Sequence, residues 1–180
     1  MTKMYLIVNL VAGKALISDI LGNIINEFTK NGYEVTVHPT QNGQDASESA
    51  KYACESNYYD VLVCAGGDGT LSQCLQGIMK SERKIPIGYI PAGSTNDFAR
   101  SLEIPKGIME SVNWIINGHP VECDAGCFND SYFMYIAAFG AFTNVTYETP
   151  QQVKKYTWSC GIYFECSYAA YKHTFKAYEN

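Results

Sequence analysis

The sequence is short of positive charge, of histidine and of paired cysteine, and each shortage argues against a class of protein. Lysine and arginine total 13 against 18 aspartates and glutamates, and the net charge of −5 argues against a nucleic-acid-binding protein. The three histidines are isolated, and no two of the seven cysteines have C-x-x-C spacing, so the pattern indicates neither a zinc site nor a disulfide framework. We expect reduced thiols in a cytoplasmic protein.

Long apolar runs are missing as well. The longest uncharged apolar stretch, around residues 132–142, contains glycine and is too short to span a bilayer. Only four apolar residues separate Met4 from Asn9, which is not typical of a signal peptide. We therefore expect no transmembrane segment, and contact with a membrane only at its surface.

Two common nucleotide-binding signatures are absent too. The sequence contains neither the G-x-x-x-x-G-K-[ST] loop nor the G-x-G-x-x-G fingerprint. The first absence excludes a P-loop protein. The second argues against a dinucleotide-binding enzyme of the usual Rossmann type.

What is present is a globular chain of 180 residues, 47% hydrophobic, in which apolar strand patterns alternate with helical ones. Predicted strands are 5–8, 33–37, 61–65 and 85–90, and predicted helices are 18–30, 45–57, 70–78, 98–102 and 105–118. The spacing of about 25–30 residues is that of βαβ units. We predict an α/β fold, a parallel three-layer Rossmann-like nucleotide-binding domain with its ligand site at the carboxyl ends of the strands.

The pattern changes after Pro120. Two strands, 121–128 and 131–139, follow each other without a helix and predict a hairpin at Asn129-Asp130. We therefore predict an α/β nucleotide-binding domain over residues 1–120 and the beginning of a β-rich second domain over 121–180. The last thirty residues are aromatic, and the spacing of Trp158, Ile162 and Cys166 favours one helix.

A glycine-rich turn joins the third predicted strand to its helix. Gly66-Gly67-Asp68-Gly69 follows the apolar run 61–65 and precedes a helical pattern from Thr70. This arrangement puts free N–H groups and the positive end of a helix dipole at a sheet edge, where anions bind. The glycines are expected to allow positive φ angles and the close approach of a phosphate. Asp68 would repel phosphate without a metal ion, so we predict a nucleotide polyphosphate site with a divalent cation.

Two further loops are expected at the same sheet edge, Asn9–Lys14 and Pro91–Asp97. With the glycine turn, they resemble the diacylglycerol kinase catalytic domain family. The matching elements are Gly-Gly-Asp-Gly-Thr-Leu at 66–71, Pro-Ala-Gly-Ser-Thr-Asn-Asp-Phe-Ala-Arg at 91–100, and an N-P-x-[SA]-G-K-like turn with Leu10 in place of proline. The resemblance covers residues 4–153. NAD kinases share Gly-Gly-Asp-Gly-Thr but not the Asn-Asp-Phe-Ala-Arg element.

The resemblance implies an ATP-dependent, Mg²⁺-requiring kinase that phosphorylates a lipid hydroxyl at a membrane surface. The residues that it places on the nucleotide are Asn9, Gly13, Lys14, Thr40, Gly66, Gly67, Asp68, Gly69, Thr70, Ser72, Ser94 and Asn96. It gives Asp68 and Asp97 catalytic roles, and it implies that Asp68, Asp97 and Asp124 organise Mg²⁺. Simpler roles compete for four of these residues: Asp97 as a helix cap, Asp124 as a partner of backbone amides, Lys14 as a solvated lysine and Thr40 as a turn residue.

One departure from the family limits this expectation. The acidic D-G-[ED] motif that supplies the family's catalytic base does not follow residue 124. We therefore expect the ATP- and Mg²⁺-binding half of a lipid kinase, in which unfinished strand edges favour self-association as a homodimer. The lipid acceptor implies peripheral contact with the inner membrane surface. An NAD kinase and a non-catalytic nucleotide-binding module remain the alternatives.

Overall fold

The structure is a computed structural model that describes residues 1–12, 16–128, 131–134 and 171–179. In chain order the elements are β1 (Thr2–Val8), α1 (Leu16–Lys30), β2 (Tyr33–Pro39), α2 (Asp45–Glu55), β3 (Val61–Gly66), α3 (Asp68–Met79), β4 (Ile87–Pro91), α4 (Asp97–Ser101), α5 (Ile108–Asn117), β5 (His119–Phe128), β6 (Ser131–Phe133) and β7 (Tyr171–Glu179). The described strands form one sheet in the order β2-β1-β3-β4-β7-β5-β6.

The first four strands form the parallel part of the sheet. β1 pairs with β2 from Thr2↔Tyr33 to Val8↔Pro39 and with β3 from Met4↔Val61 to Val8↔Ala65. β3 pairs with β4 from Leu62↔Ile87 to Gly66↔Pro91. Because all of these pairings are parallel, the loops that follow the four strands leave the sheet at one edge. The predicted parallel α/β fold is confirmed.

Helices cover both faces of this sheet. Side chains of α1 and α5, including Ile24, Phe28 and Val112, share one hydrophobic core with Met4, Leu6 and Val8 of β1. On the other face, residues of α2, α3 and α4 share a second core with Tyr5 and Ile7 of the same strand. Alternation along β1 sends successive residues to opposite cores, which is why its run Met4–Val8 is buried throughout. The three layers match the prediction.

Several boundaries differ from the predicted ones, and two of these matter for the site. α3 begins at Asp68 rather than Thr70, and α4 begins at Asp97 rather than Phe98. Each aspartate therefore lies in the first turn of a helix, where a negative charge interacts favourably with the helix dipole. None of the described helices has the length and apolar character needed to span a bilayer.

The antiparallel strands extend the same sheet. β5 pairs antiparallel with β6 at Cys127↔Tyr132, as predicted for the hairpin, and with β7 from His119↔Glu179 to Cys127↔Tyr171. β7 also pairs in parallel with β4 at Ile87↔Ala177. No strand was predicted over 171–179, although its sequence alternates with the period of a strand. The helix predicted around 158–166 and the strand residues 135–139 lie outside the described residues. The division at residue 120 stays a prediction.

Candidate active site

Asn9 joins the loop after β1 to the start of α3. Its main-chain N–H donates to the Ala65 carbonyl at 2.9 Å, and its side-chain Nδ2 donates to Thr70 Oγ1 at 3.0 Å. Its Oδ1 accepts a hydrogen bond from the Val11 N–H at 3.1 Å. All of these partners lie at the predicted sheet edge. The structure thus brings Asn9 and Thr70 together, while Gly13 and Lys14 lie outside the described residues.

The loops after β3 and β4 pack against each other through glycine backbone. A Cβ atom built on Gly93 would lie 2.7 Å from Gly67 Cα, and one built on Gly67 would lie 3.3 Å from Gly93 Cα. The Ala92 N–H donates to the Gly66 carbonyl at 2.8 Å. Side chains at Gly67 and Gly93 would therefore push the two loops apart.

The expected positive φ angles at these glycines were wrong. Among the described glycines only Gly32 has a positive φ, and Gly67 has a φ of −91°. The glycines at 66 and 67 are needed because other parts of the protein come close, Thr70 to Gly66 and Gly93 to Gly67. Gly69 differs, because it is exposed and a Cβ built there would have no atom within 4 Å. The turn is therefore open to solvent at Gly69.

The amino end of α3 has no side-chain cap. Its N-cap residue is Gly67, and the Leu71 N–H donates to the Gly67 carbonyl at 3.1 Å. The N–H groups of the first turn precede the helical hydrogen-bond pattern and have no partner within it. A twelve-residue helix thus directs uncapped donors and the positive end of its dipole toward the loops at the sheet edge.

The Asp68 carboxylate connects α3 with α4 and β4. Its Oδ2 accepts the Asp97 N–H at 2.9 Å, and its Oδ1 accepts the Tyr89 hydroxyl at 3.4 Å. Burial, together with nearby Cys64 and Asp68, raises the pKa of Tyr89 well above its usual range, so this hydroxyl stays protonated. The Asp97 carboxylate lies 3.3 Å from Arg100, whose side chain is mostly exposed.

Asn96 closes the loop that follows β4. It adopts a left-handed conformation (φ 50°, ψ 51°), which asparagine tolerates better than most residues. Its Oδ1 accepts the Gly93 N–H and its Nδ2 donates to the Gly93 carbonyl, both at 2.9 Å. The Asn96 amide is thus engaged within its own loop. Ser94, predicted to hold the nucleotide, is exposed at the tip.

A cavity of about 220 Å³ opens beside these groups. Asp68 and Asp97 form what we call its carboxylate wall, with Ser72 next to them. Phe133 and Met134 form what we call its hairpin wall. Leu71 of α3 and Phe98 of α4 complete the lining. One small cavity therefore combines two carboxylate residues with the apolar side chains of Leu71, Phe98, Phe133 and Met134.

Gln76 attaches the hairpin to α3. Its Nε2 donates to the Tyr132 carbonyl, and its Oε1 accepts the Tyr132 N–H at 3.1 Å. The side-chain amide thus pairs with the main chain of β6 much as a neighbouring strand would. Sequence reasoning missed Gln76, Phe133 and Met134, because no local motif marks a contact between residues 56 positions apart.

The predicted trio of carboxylates is not assembled in the described structure. Asp124 is exposed on β5, outside the cavity lining, and β7 lies between β5 and β4 in the sheet. Within the described ranges, no three histidine, cysteine, aspartate or glutamate side chains form a group that could hold a metal ion. Asp68 and Asp97 stand as a pair, which suits Mg²⁺, since that ion commonly takes one or two carboxylates together with water and phosphate oxygens.

Thr40 begins the loop after β2, and a polar network shapes that loop. The Thr40 N–H donates to the Val8 carbonyl at 2.9 Å. Asp45 Oδ2 accepts the Gln41 N–H at 2.6 Å, and Asp45 Oδ1 lies 2.9 Å from His38 Nε2. Burial alone would raise the pKa of Asp45, but the bonds from Gln41 and His38 outweigh it and lower that pKa below its ordinary value. From its sequence position, Asp45 was predicted only to begin the second helix, as it does.

Comparison with known proteins identifies the family of this chain. The family model of the diacylglycerol kinase catalytic domain matches residues 3–128. The chain therefore belongs to the diacylglycerol kinase catalytic domain family, as its motifs predicted. The matched range includes α3, α4 and both carboxylates of the cavity.

Relatives and solved structures agree with the family assignment. A diacylglycerol kinase of Staphylococcus epidermidis is 40% identical over 149 residues, 83% of this chain and 47% of that protein. One of Staphylococcus carnosus is 37% identical over 160 residues, 89% of this chain and 52% of that protein. A solved diacylglycerol kinase structure from Bacillus anthracis is 28% identical, with a TM-score of 0.66 over 73% of this chain and 45% of that one. The chain thus spans about half the length of these relatives.

Proposed function

We propose that this chain supplies the ATP- and Mg²⁺-binding part of a lipid kinase that phosphorylates the hydroxyl of diacylglycerol or a related lipid. The observation that carries the proposal is the meeting of Asn9, the glycine turn after β3 and the loop after β4 around the uncapped amino end of α3. Phosphoryl transfer depends mainly on positioning and charge neutralisation, and this edge of the sheet offers groups for both.

The nucleotide phosphates would lie over the first turn of α3. The open space at Gly69 and the uncapped N–H groups there support this placement. Thr70 and Ser72 would add hydroxyl contacts. Asn9 would act partly by holding Thr70 in place, and Asn96 by shaping the loop at Gly93. Roles for Gly13, Lys14, Thr40 and Ser94 rest on the family motifs and on loop position.

Mg²⁺ would be held by Asp68 and Asp97. After its hydrogen bonds to Asp97 N–H and to Tyr89, each oxygen of Asp68 keeps acceptor capacity for an ion or for a water of its shell. When bound, the ion would neutralise charge on the transferred phosphate. Asp124 stays a predicted third carboxylate, which the described arrangement does not bring to this pair.

The apolar lining of the cavity favours a lipid acceptor over a polar one. Phe98, Phe133 and Met134 face the same space as the two carboxylates. An alcohol with an adjoining hydrocarbon chain could place its hydroxyl toward the carboxylate wall and its chain along the hairpin wall. We further propose peripheral action at the cytoplasmic face of a membrane, and self-association as a homodimer.

The test has two stages, on this 180-residue chain. Thermal unfolding is first measured with and without Mg²⁺ and ATP, and we expect the melting temperature to rise only when both are present. Transfer of labelled phosphate from ATP is then measured with diacylglycerol vesicles and, separately, with NAD. Labelled lipid supports the kinase. Stabilisation without labelled lipid indicates a nucleotide-binding module, and labelled NADP indicates an NAD kinase.

A further inference from the structure

Tyr89 places a buried hydroxyl between the two loops of the candidate site. Its side chain is 4% exposed on β4, in the same core as α3 and α4. The hydroxyl oxygen is 3.4 Å from Asp68 Oδ1 and 3.3 Å from Asn96 Oδ1. Both neighbours are acceptors, whereas a phenol has a single hydrogen to donate. Two long contacts of nearly equal length are what one hydrogen shared between two acceptors produces.

The other contacts of these two acceptors define what Tyr89 connects. Asp68 Oδ2 accepts the Asp97 N–H, which fixes one side of the carboxylate to α4. Asn96 Oδ1 accepts the Gly93 N–H, which fixes the loop that packs on Gly67. Tyr89 holds the remaining oxygen of Asp68 and links it to Asn96. Without this hydroxyl, only the hydrogen bond from the Asp97 N–H would restrict rotation of the Asp68 carboxylate.

Core packing alone does not require a hydroxyl at this position. A phenylalanine ring would fill the same buried space, and it would leave out a polar atom that is costly to bury without a partner. Groups that hydrogen-bond to metal-binding side chains commonly orient them and tune their affinity for the ion. Tyr89 makes such a contact with Asp68, which we have proposed as a ligand of Mg²⁺.

We propose that Tyr89 is a positioning residue that orients the Asp68 carboxylate toward Mg²⁺ and couples it to the Asn96 loop. The inference rests on the proposed function, because it concerns the ion that accompanies ATP. It assigns Tyr89 no contact with nucleotide or lipid. Its effect is therefore confined to the part of nucleotide affinity that depends on Mg²⁺.

The test is a double-mutant cycle read by calorimetric titration. A non-hydrolysable ATP analogue is titrated into the wild-type chain, Y89F, D68N and the double variant, each with saturating Mg²⁺ and again with EDTA. We expect Y89F to weaken binding in Mg²⁺ about fivefold, the effect of one hydrogen bond, and to leave binding in EDTA unchanged. In the D68N background, Y89F should change nothing further, since the group that it orients has lost its charge.

Tyr59→Phe is the matched control for removing the hydroxyl of a buried tyrosine residue. Tyr59 belongs to the same core but precedes β3, at the opposite end of that strand from Asp68. Y59F should leave both affinities unchanged. Circular dichroism should show Y89F and Y59F folded, because phenylalanine keeps the ring that packs the core.

The outcomes separate this inference from the proposed function. If the wild-type chain binds no nucleotide in Mg²⁺, the proposed function fails and takes the inference with it. If the wild type binds but Y89F binds equally well, or weakens binding equally in EDTA, Tyr89 does not orient Asp68 for the ion. The inference would also be overturned if the losses of affinity in Y89F and D68N simply added in the double variant.

Discussion

The two walls of the cavity are built in different ways. The carboxylate wall is fixed by main chain: Gly67 and Gly93 touch through their backbones, and the Asp97 N–H binds Asp68. The hairpin wall is attached to α3 through the side-chain amide of Gln76, which pairs with Tyr132. The carboxylate wall, which we propose for an ion and phosphates, is therefore held by close backbone packing. The hairpin wall, which we propose for the acceptor, depends on an individual side chain.

The largest expected effect comes from breaking the backbone contact of the carboxylate wall. Gly93→Ala would put a methyl group 2.7 Å from Gly67 Cα, which cannot rotate away. We expect the free energy of unfolding to fall by about 3 kcal/mol, at the upper end for an inserted methyl group. Urea denaturation measures this loss. Gly69→Ala is the control, since its methyl group meets open space, and an unchanged G93A midpoint would contradict the packing argument.

The next effect concerns charge on the same wall. Asp68→Asn keeps the shape of the side chain but removes the negative charge that an ion would meet. We expect affinity for ATP in Mg²⁺ to fall at least about tenfold, or ~1.4 kcal/mol, with little change in EDTA. Asp60→Asn is the matched control, because Asp60 is exposed just before β3, at the far end of the strand. Equal losses in both variants would remove Asp68 from the site.

A smaller effect is expected on the hairpin wall. Gln76→Met keeps the length of the side chain but removes both hydrogen bonds to Tyr132. We expect a loss of about 1–2 kcal/mol in stability, with nucleotide affinity unchanged. Hydrogen exchange at the Tyr132 amide should become faster. Gln73→Met on the same helix is the control, and slow exchange in Q76M would show that the hydrogen bonds of Gln76 do not hold the hairpin.

The smallest effect lies away from both walls, in the loop after β2. The folded-state pKa of Asp45 is below its ordinary value of 3.8, so the charged carboxylate stabilises the fold. That stability is fully present above the ordinary pKa and is lost as pH falls through the lower, folded pKa. We expect the free energy of unfolding of Asp45→Asn to fall slightly less toward acid pH than that of the wild type. Urea denaturation at stepped pH measures this difference. A profile identical to wild type would contradict the assigned bonds.

Local sequence patterns could be predicted, whereas contacts between residues distant in sequence could not. Strand patterns and the Gly66–Leu71 and Pro91–Arg100 motifs are local, so they predicted the parallel sheet and the edge where the loops meet. The contact of Gly67 with Gly93 depends on two loops that are distant in sequence, which is why the glycines were assigned positive φ angles instead. The strand β7 was missed because aromatic residues before it suggested a helix.

In the candidate site, too, local motifs could be predicted and contacts between distant residues could not. Asp68 and Asp97 were predicted as a pair, and the structure joins them through a hydrogen bond from the Asp97 N–H. The nucleotide role of Asn96 stays a prediction; its hydrogen bonds to Gly93 and its left-handed backbone could not be predicted from the motif. Tyr89 carried no motif signal, because a tyrosine within an apolar strand is typical of a core residue.

The most direct test of the account is the Mg²⁺ dependence of ATP binding by the wild-type chain. Calorimetric titration of ATP with saturating Mg²⁺ and with EDTA separates the contribution of the carboxylate wall from that of the α3 amino end. We predict saturable binding that is at least about tenfold tighter in Mg²⁺. Equal affinity under the two conditions, or no binding at all, would contradict the claim that Asp68 and Asp97 form the ion-binding side of a kinase site.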